Sequence, residues 1–354
     1  MADLLTESAE RLFAAHCDVA VVQAAEVGVW PASLWDAVAE AGFCHAMTPE
    51  DAGGYGATVQ EAMSILRAAA AYAAPVPLAE TMVAAMLLAR VGLAVPPGPL
   101  TFAPVRRGDR LTARRHAGGW RIQGTARRVP WGRVAGLVVL ADGPEGPVIA
   151  ALPPASTVRL GSNLANEPRD TVTLDEIVAD ENVAPAPIDA AWLRLAGAAL
   201  RANQIAGALS RALSMTTDYA KTRHQFGRSI GKFQAIQHGM AVFAGQAAAG
   251  QAAADMAADA MADGMDLMTI AAAKARAGEA ASIAAGIAHQ THGAIGFTRE
   301  YRLHPLTRRL WSWRDEFGNE AEWNLVIGRI ACAAGADGLW PLIAANPDCG
   351  GPTP

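Results

Sequence analysis

Tyr219-Ala220-Lys221-Thr222-Arg223-His224-Gln225-Phe226-Gly227-Arg228-Ser229-Ile230, followed by Phe233-Gln234, lies between two long helical patterns. Before it, Ile205, Leu209, Ala212, Thr216 and Tyr219 recur at helical spacing and trace one stripe. After it, alanine dominates from Gln246 to Ala262 and again from Ala271 to Ala288. Small side chains let helix backbones approach closely, so these tracts predict a tightly packed bundle. Low complexity is the plainer reading of so much alanine, but the interleaved Met256, Met261, Met265 and Ile270 argue against disorder.

Outward from this centre the texture changes twice. From Leu4 to about Val95 the pattern is again helical. Leu34, Val38 and Ala41 share a face that Gly42 is placed to end, and Thr58-Val59-Gln60-Glu61 reads as a capping box that opens the next helix. Beyond Pro96-Pro97-Gly98-Pro99 come short β-prone runs punctuated by Gly, Pro and Asp: Trp120 to Gly124, Leu137 to Leu140, Val148 to Leu152 and Thr171 to Leu174. The alternation in the last run fits a strand with one wet face. The order helices, strands, helices predicts an α+β chain: an N-terminal α-helical domain over 1–95, a middle β domain over 96–187, a helical bundle over 188–345, and a loose tail at 346–354.

Composition narrows the partners. The 354 residues are 52% hydrophobic and 18% charged, with a net charge of −5 and both signs interspersed. Neither a nucleic-acid stripe nor a polybasic membrane patch is expected, so partners should be small molecules or other subunits. Cys17, Cys44, Cys332 and Cys349 are far apart, and the eight histidines form no zinc pattern with them. No metal site, export signal or membrane span is expected, and the chain is assigned to the cytoplasm.

The stretch from Tyr219 to Gln234 closely resembles the signature of the acyl-CoA dehydrogenase family, in which one helix ends in R-x-Q-F-G and the next begins with F-Q. A second match, Gln290-Thr291-His292-Gly293-Ala294-Ile295-Gly296-Phe297-Thr298-Arg299-Glu300-Tyr301, is similar to the family's Q-x-x-G-G-x-G-F-x-x-E-Y segment, with Ala294 replacing one glycine. Pro49 to Gly56 resembles the family's N-terminal glycine loop, although a tight turn explains it as well. Arg169 to Val172, running on to Asn182-Val183, resembles the strand closing the family's β domain.

The resemblance implies an N-terminal helical domain, a middle β-barrel or β-sandwich and a C-terminal four-helix bundle carrying the FAD and oligomer interface. It implies FAD as cofactor, bound across a subunit interface, with Arg223, Gln225, Phe226, Gln234, Gln290, Gly293, Gly296 and Trp131 as contacts. Guanidinium forks suit pyrophosphate oxygens, and glycines let backbone approach a ligand. The implied reaction is α,β-dehydrogenation of an acyl-CoA thioester. A carboxylate takes the α-proton, hydride goes to flavin N5, and electrons pass to an electron-transfer flavoprotein.

Two departures qualify this. The family's base sits in a Y-E-G-T segment, and ungapped counting from Gly296 puts Phe317 at that column, with Glu316 one residue early. Glu316 is the candidate base, but Asp315, Glu316 and Glu320 would equally cap a helix or pair with Arg308, Arg309 and Arg314. The alternative family position on the earlier helix falls near Gly197 or Ala198, neither of which takes a proton. The flavin-contacting T-E-P-G-A-G-S-D loop is also missing, since Pro99 to Asp109 runs without it. This mixture resembles the short subunits of heteromeric acyl-CoA dehydrogenases, including those acting on steroid-type thioesters. Three functions follow: a homo-oligomeric dehydrogenase using Glu316, a subunit of a hetero-oligomer completing a partner's site, or a non-catalytic assembly protein of the same fold.

Overall fold

In a computed structural model, which describes residues 2–344, five helices lead the chain: α1 (Ala2–His16), α2 (Val19–Glu26), α3 (Ala32–Glu40), α4 (Val59–Ala71) and α5 (Leu78–Arg90). The expected starts and stops hold for local reasons. Gly42 follows α3 at φ 72, where its missing Cβ leaves room for the Tyr55 ring. The Thr58 hydroxyl accepts from Glu61 N–H while the Glu61 carboxylate accepts from Thr58 N–H, a complete capping box. Ala62, Met63, Leu66 and Ala70 then form the buried face of α4. Pro49 to Gly56 is a tight turn, with Gly54 pressed against the Thr48 carbonyl.

Eight strands follow: β1 (Leu100–Ala103), β2 (Leu111–His116), β3 (Gly119–Pro130), β4 (Gly136–Gly143), β5 (Gly146–Leu152), β6 (Thr157–Arg159), β7 (Arg169–Val178) and β8 (Val183–Pro185). They make one mixed sheet in the order β6-β7-β3-β2-β4-β5-β8, with β1 added parallel to β4. Leu137, Val139 and Ala141 of β4 join Ile122, Ala150 and Leu174 in an interior between the strands. The alternate residues Val138 and Leu140 join Phe102 and Ile149 against the helical core. Both faces of β4 are therefore dry, which is why it reads as an unbroken apolar run, whereas Thr173 and Asp175 of β7 alternate outward to water.

The C-terminal part holds α6 (Ala190–Thr222), α7 (Gln234–Ala262), α8 (Leu267–His292), α9 (Leu303–Asp315) and α10 (Glu320–Ala344), the last interrupted at Gly335. Alanines 253, 254, 257, 277, 280, 281 and 284 are buried between α7, α8 and their neighbours, the close packing their size permits. The tail 346–354 lies outside the described residues. By length and composition alone, Leu303–Ala344 contains a stretch apolar enough to cross a membrane, and the helix window concerned is unburied within the chain. The break at Gly335, with Arg329 and Asp337 on the same helix, interrupts that stretch. Leu325, Leu339, Trp340 and Ile343 leave an apolar face exposed.

A Cβ on Gly207 of α6 would lie 2.1 Å from the Arg67 carbonyl oxygen of α4. Gly207→Ala is expected to lower stability by about 1–3 kcal/mol through forced separation of the two helices. An unchanged urea midpoint in the variant would show that the helices do not depend on this approach.

Candidate active site and cofactor-facing surface

Charged residues on otherwise apolar elements converge where the three parts of the chain meet. Glu80 comes from α5, Arg201 from α6, and Arg309, Trp313 and Glu316 from α9 and its end. Asn163 and Glu167 come from the turn leading into β7, and Arg169 is the first residue of that strand. Arg201 donates to Glu80 at 2.6 Å and to Glu316 Oε2 at 2.7 Å. Arg169 donates to Glu316 Oε1 at 2.7 Å and Oε2 at 3.0 Å, and to Glu167 at 3.0 Å. Asn163 bridges Glu167 and Glu316, the Trp313 indole donates to Glu167, and Arg309 pairs with Glu167 at 3.2 Å. Three carboxylates and three guanidiniums, all nearly excluded from water, are thus balanced one for one.

Glu316 consequently accepts four hydrogen bonds, from Arg169 twice, Arg201 and Asn163. Burial pushes its pKa up, but Arg169 and Arg201 together outweigh burial and hold it at about 2, below the usual 4.5. A base needs a pKa near the working pH and a free lone pair; this carboxylate has neither. Nor does it pair with Arg308, Arg309 or Arg314: Arg308 meets Glu26, Arg309 meets Glu167, and Arg314 meets Glu320. Tertiary contact overrides the local pairing that helical spacing suggests.

The chain turns sharply after Glu316, with Phe317 at φ 56 and Gly318 at φ 103. Phe317 drops against Phe102 and Gly197, where a Cβ would come 2.1 Å from its ring. The alternative base position is therefore vacant of side chain because Phe317 fills its space. Lys274 of α8, fully buried, fixes this turn by donating to the carbonyls of Arg314 and Gly318 at 2.6 and 2.9 Å. Burial lowers its pKa to about 8, although Glu320, Glu316 and Asp315 favour the charged form.

Glu316 and Phe317 form one edge of a cleft of about 640 Å³ between α6, the α9–α10 turn and the sheet. Val105, Arg106 and Arg107 line it where the family loop is missing, joined by Arg128 and Pro130 of β3. Trp131 is not part of this lining. It stands at φ 55 beyond an irregularity in the β3–β7 pairing, its ring edge-on to Trp30 at 6.1 Å in a separate cleft beside Val27 and Arg133. The positive φ at Trp131 goes with a ring that lines this second cleft and not the one beside Glu316.

Most of the residues expected to contact a cofactor lie on another face. Arg223 caps α6, and a two-residue hairpin follows, pairing His224-Gln225 with Arg228-Ser229. Phe226 and Gly227 form its turn at φ 52 and 77, as a type I′ turn requires. Phe226 is 92% exposed, touched by the edge of Phe233 at 6.2 Å. The end of α6 is tied to the end of α8 by Tyr219, stacked on His292 at 4.5 Å, with Tyr301 closing the group through His292. That contact joins the last turn of α6, which ends at Arg223, to the last turn of α8, which carries Gln290. The side chains of Arg223, Gln225, Gln234 and Gln290 are exposed and have no partner among the described residues. Gly293 is open at φ 63, whereas Gly296 is buried, a Cβ there lying about 3.2 Å from His289 and Leu303. Gly296 is thus closely packed by its own chain.

Sequence reading missed Glu80, Arg169 and Arg201 as a site. The signal was present in Leu78 to Leu88 and Leu195 to Leu209, where one charge sits in a run buried on every side.

Residues 2–94 match the family Acyl-CoA dehydrogenase, N-terminal domain, and residues 195–321 match Acyl-CoA dehydrogenase, C-terminal domain. The chain is 30% identical over 317 residues to the acyl-CoA dehydrogenase IpdE2 of Mycolicibacterium smegmatis, covering 87% of this chain and 91% of that one. Among solved structures it superposes on the Tcur3481-Tcur3483 steroid ACAD G363A variant with TM-score 0.84 and 27% identity, over 95% of this chain and 98% of that one. It superposes on the ChsE4-ChsE5 complex from Mycobacterium tuberculosis with TM-score 0.81 and 26% identity, over 94% and 97%. With its helical ends, its intervening sheet and both terminal domains matched, the chain belongs to the acyl-CoA dehydrogenase family of enzymes.

Proposed function

We propose that this chain is a subunit of a heteromeric acyl-CoA dehydrogenase, lending half of an FAD site to a partner that supplies the base. The observation that carries this is Glu316, a carboxylate held at about 2 by Arg169 and Arg201 with four donors upon it. Such a group stays ionised throughout the physiological range and has no free position for an α-proton. The homo-oligomeric reading retains one point in its favour, that Glu316 does border a cleft.

The outward face fits a flavin held chiefly elsewhere. Arg223 has the fork geometry for a diphosphate, Gln225, Gln234 and Gln290 offer amides, and Phe226 offers an apolar wall. Gly293 leaves space for close approach. The chemistry that bound FAD supplies is acceptance of the β-hydride. Electron-transfer flavoprotein is the expected acceptor of the electrons. A hetero-oligomer would also cover Leu339, Trp340 and Ile343. The substrate class follows the steroid ACAD relative: a thioester with a bulky, ring-bearing acyl group. A reducing cytoplasm suits the free, buried Cys17 and Cys44 thiols, which burial pushes up to about 12.

Glu316→Gln is expected to leave Arg169 and Arg201 under-compensated and cost about 3–5 kcal/mol of stability. A variant that melts like wild type yet abolishes turnover would restore Glu316 as base. Acid titration tests the same pairing. The folded pKa lies below the unfolded one, so the stabilisation is complete above about 4.5 and is lost as pH falls toward about 2. Stability that is flat across that window would contradict the pairing. Arg223→Ala and Phe226→Ala should leave the chain's own melting temperature unchanged while the assembled complex loses FAD on gel filtration. Full retention of flavin by both variants would remove the half-site.

A further inference from the structure

A third cleft, of about 610 Å³, opens where the end of α2, the β6–β7 turn and α9 meet. It shares Glu26, Val27 and Asn166 with the cleft of Trp131, and no lining residue with the one beside Glu316. Phe297, His289 and Trp311 make one wall. The His289 ring lies flat against Phe297, with centroids 4.1 Å and planes 18° apart, and flat against Trp311 at 5.6 Å and 13°. Its Nε2 stands 2.8 Å from the Thr307 hydroxyl, which holds the ring in that plane. Burial, with His292 and His304 nearby, pushes the His289 pKa down, so the stack is uncharged at neutral pH. Phe297 is nevertheless 64% exposed, a ring held flat at the edge of an open space. The charges around this wall leave one cation over. Arg308 pairs with Glu26, the one carboxylate among the described residues of the lining. Burial first, and then Arg308, push the pKa of His304 down and favour its neutral form. The Arg299 guanidinium and the Asn166 amide have no partner among the described residues.

We propose that this cleft binds a flat aromatic carboxylate, its ring continuing the stack of Phe297, His289 and Trp311 and its charge paired with Arg299. Stacked rings gain more than the area they bury, and a flat wall of three rings favours a flat ligand over a puckered one. A guanidinium fork takes the two oxygens of a carboxylate together, and one unpaired cation matches one negative charge. Val27 and Leu164, 73% and 57% exposed, offer apolar contact to the rest of the ring. The volume suits a small-molecule site. None of Arg223, Gln225, Phe226, Gln234, Gln290 and Gly293 lines the cleft, and binding there needs neither flavin nor a partner's base. The inference therefore stands or falls separately from the subunit reading.

The test uses the purified full-length chain with any subunit that co-purifies, titrated calorimetrically at fixed ionic strength. The probes are 2-naphthoate, the neutral 2-naphthamide and the saturated decalin-2-carboxylate. Naphthoate should bind saturably, and the amide and the decalin acid should each bind about tenfold more weakly or worse. Arg299→Gln should weaken naphthoate by about tenfold and Phe297→Leu by severalfold, both at unchanged melting temperature. Arg223→Ala should leave the affinity as in wild type. Absence of saturable naphthoate binding would overturn the proposal. Equal affinity for the amide would remove the pairing with Arg299, and equal affinity for the decalin acid would remove the stack. Affinity unmoved by Arg299→Gln and Phe297→Leu, or lost in Arg223→Ala, would overturn the cleft as the site.

Discussion

The buried exchange of charge among Glu80, Glu167, Arg169, Arg201, Arg309 and Glu316 is the constraint on which the architecture turns. Taking an ion out of water costs several kcal/mol, and the cost is offset only when every partner is in place with good geometry. Here the partners are divided among α5, the turn before β7, α6 and α9, so no two parts of the chain can dock correctly without the third. The apolar interfaces supply the bulk of the driving force. The ion cluster makes the docking discriminating, because a slip of one helix would leave a charge buried and alone.

That constraint has a chemical consequence. An enolising base must exchange a proton during turnover, whereas a member of a balanced buried cluster stabilises the fold by remaining charged. Glu316 is suited to the second role, since the pair of arginines that secures the fold also depresses its basicity. Phe317 completes the arrangement by filling the space beside Gly197, and Lys274 pins the turn from beneath. Polar side chains without a partner among the described residues also lie on the hairpin of Phe226 and near the ends of α6 and α8.

Much of the fold was legible in residue order, and for identifiable reasons. The Thr58 capping box, the stop at Gly42 and the β7 alternation rest on interactions within a few residues, which spacing records directly. The Tyr219 to Gln234 motif was legible as a resemblance, and the stacking of Tyr219 on His292, which joins it to the end of α8, was not. Trp131 and Gly296 were less legible. A residue's type says that it is aromatic or small, while an irregular strand step or a neighbouring histidine decides where it faces.

By itself the sequence determined the family and the succession of helices and strands, because each depends on periodicity or on residues close in the chain. Only the tertiary structure decided the fate of Glu316. Its partners Arg169 and Arg201 lie 147 and 115 residues away. The electrostatics of a buried carboxylate depend on which charges fold to within hydrogen-bonding distance, and no local pattern in the chain records that.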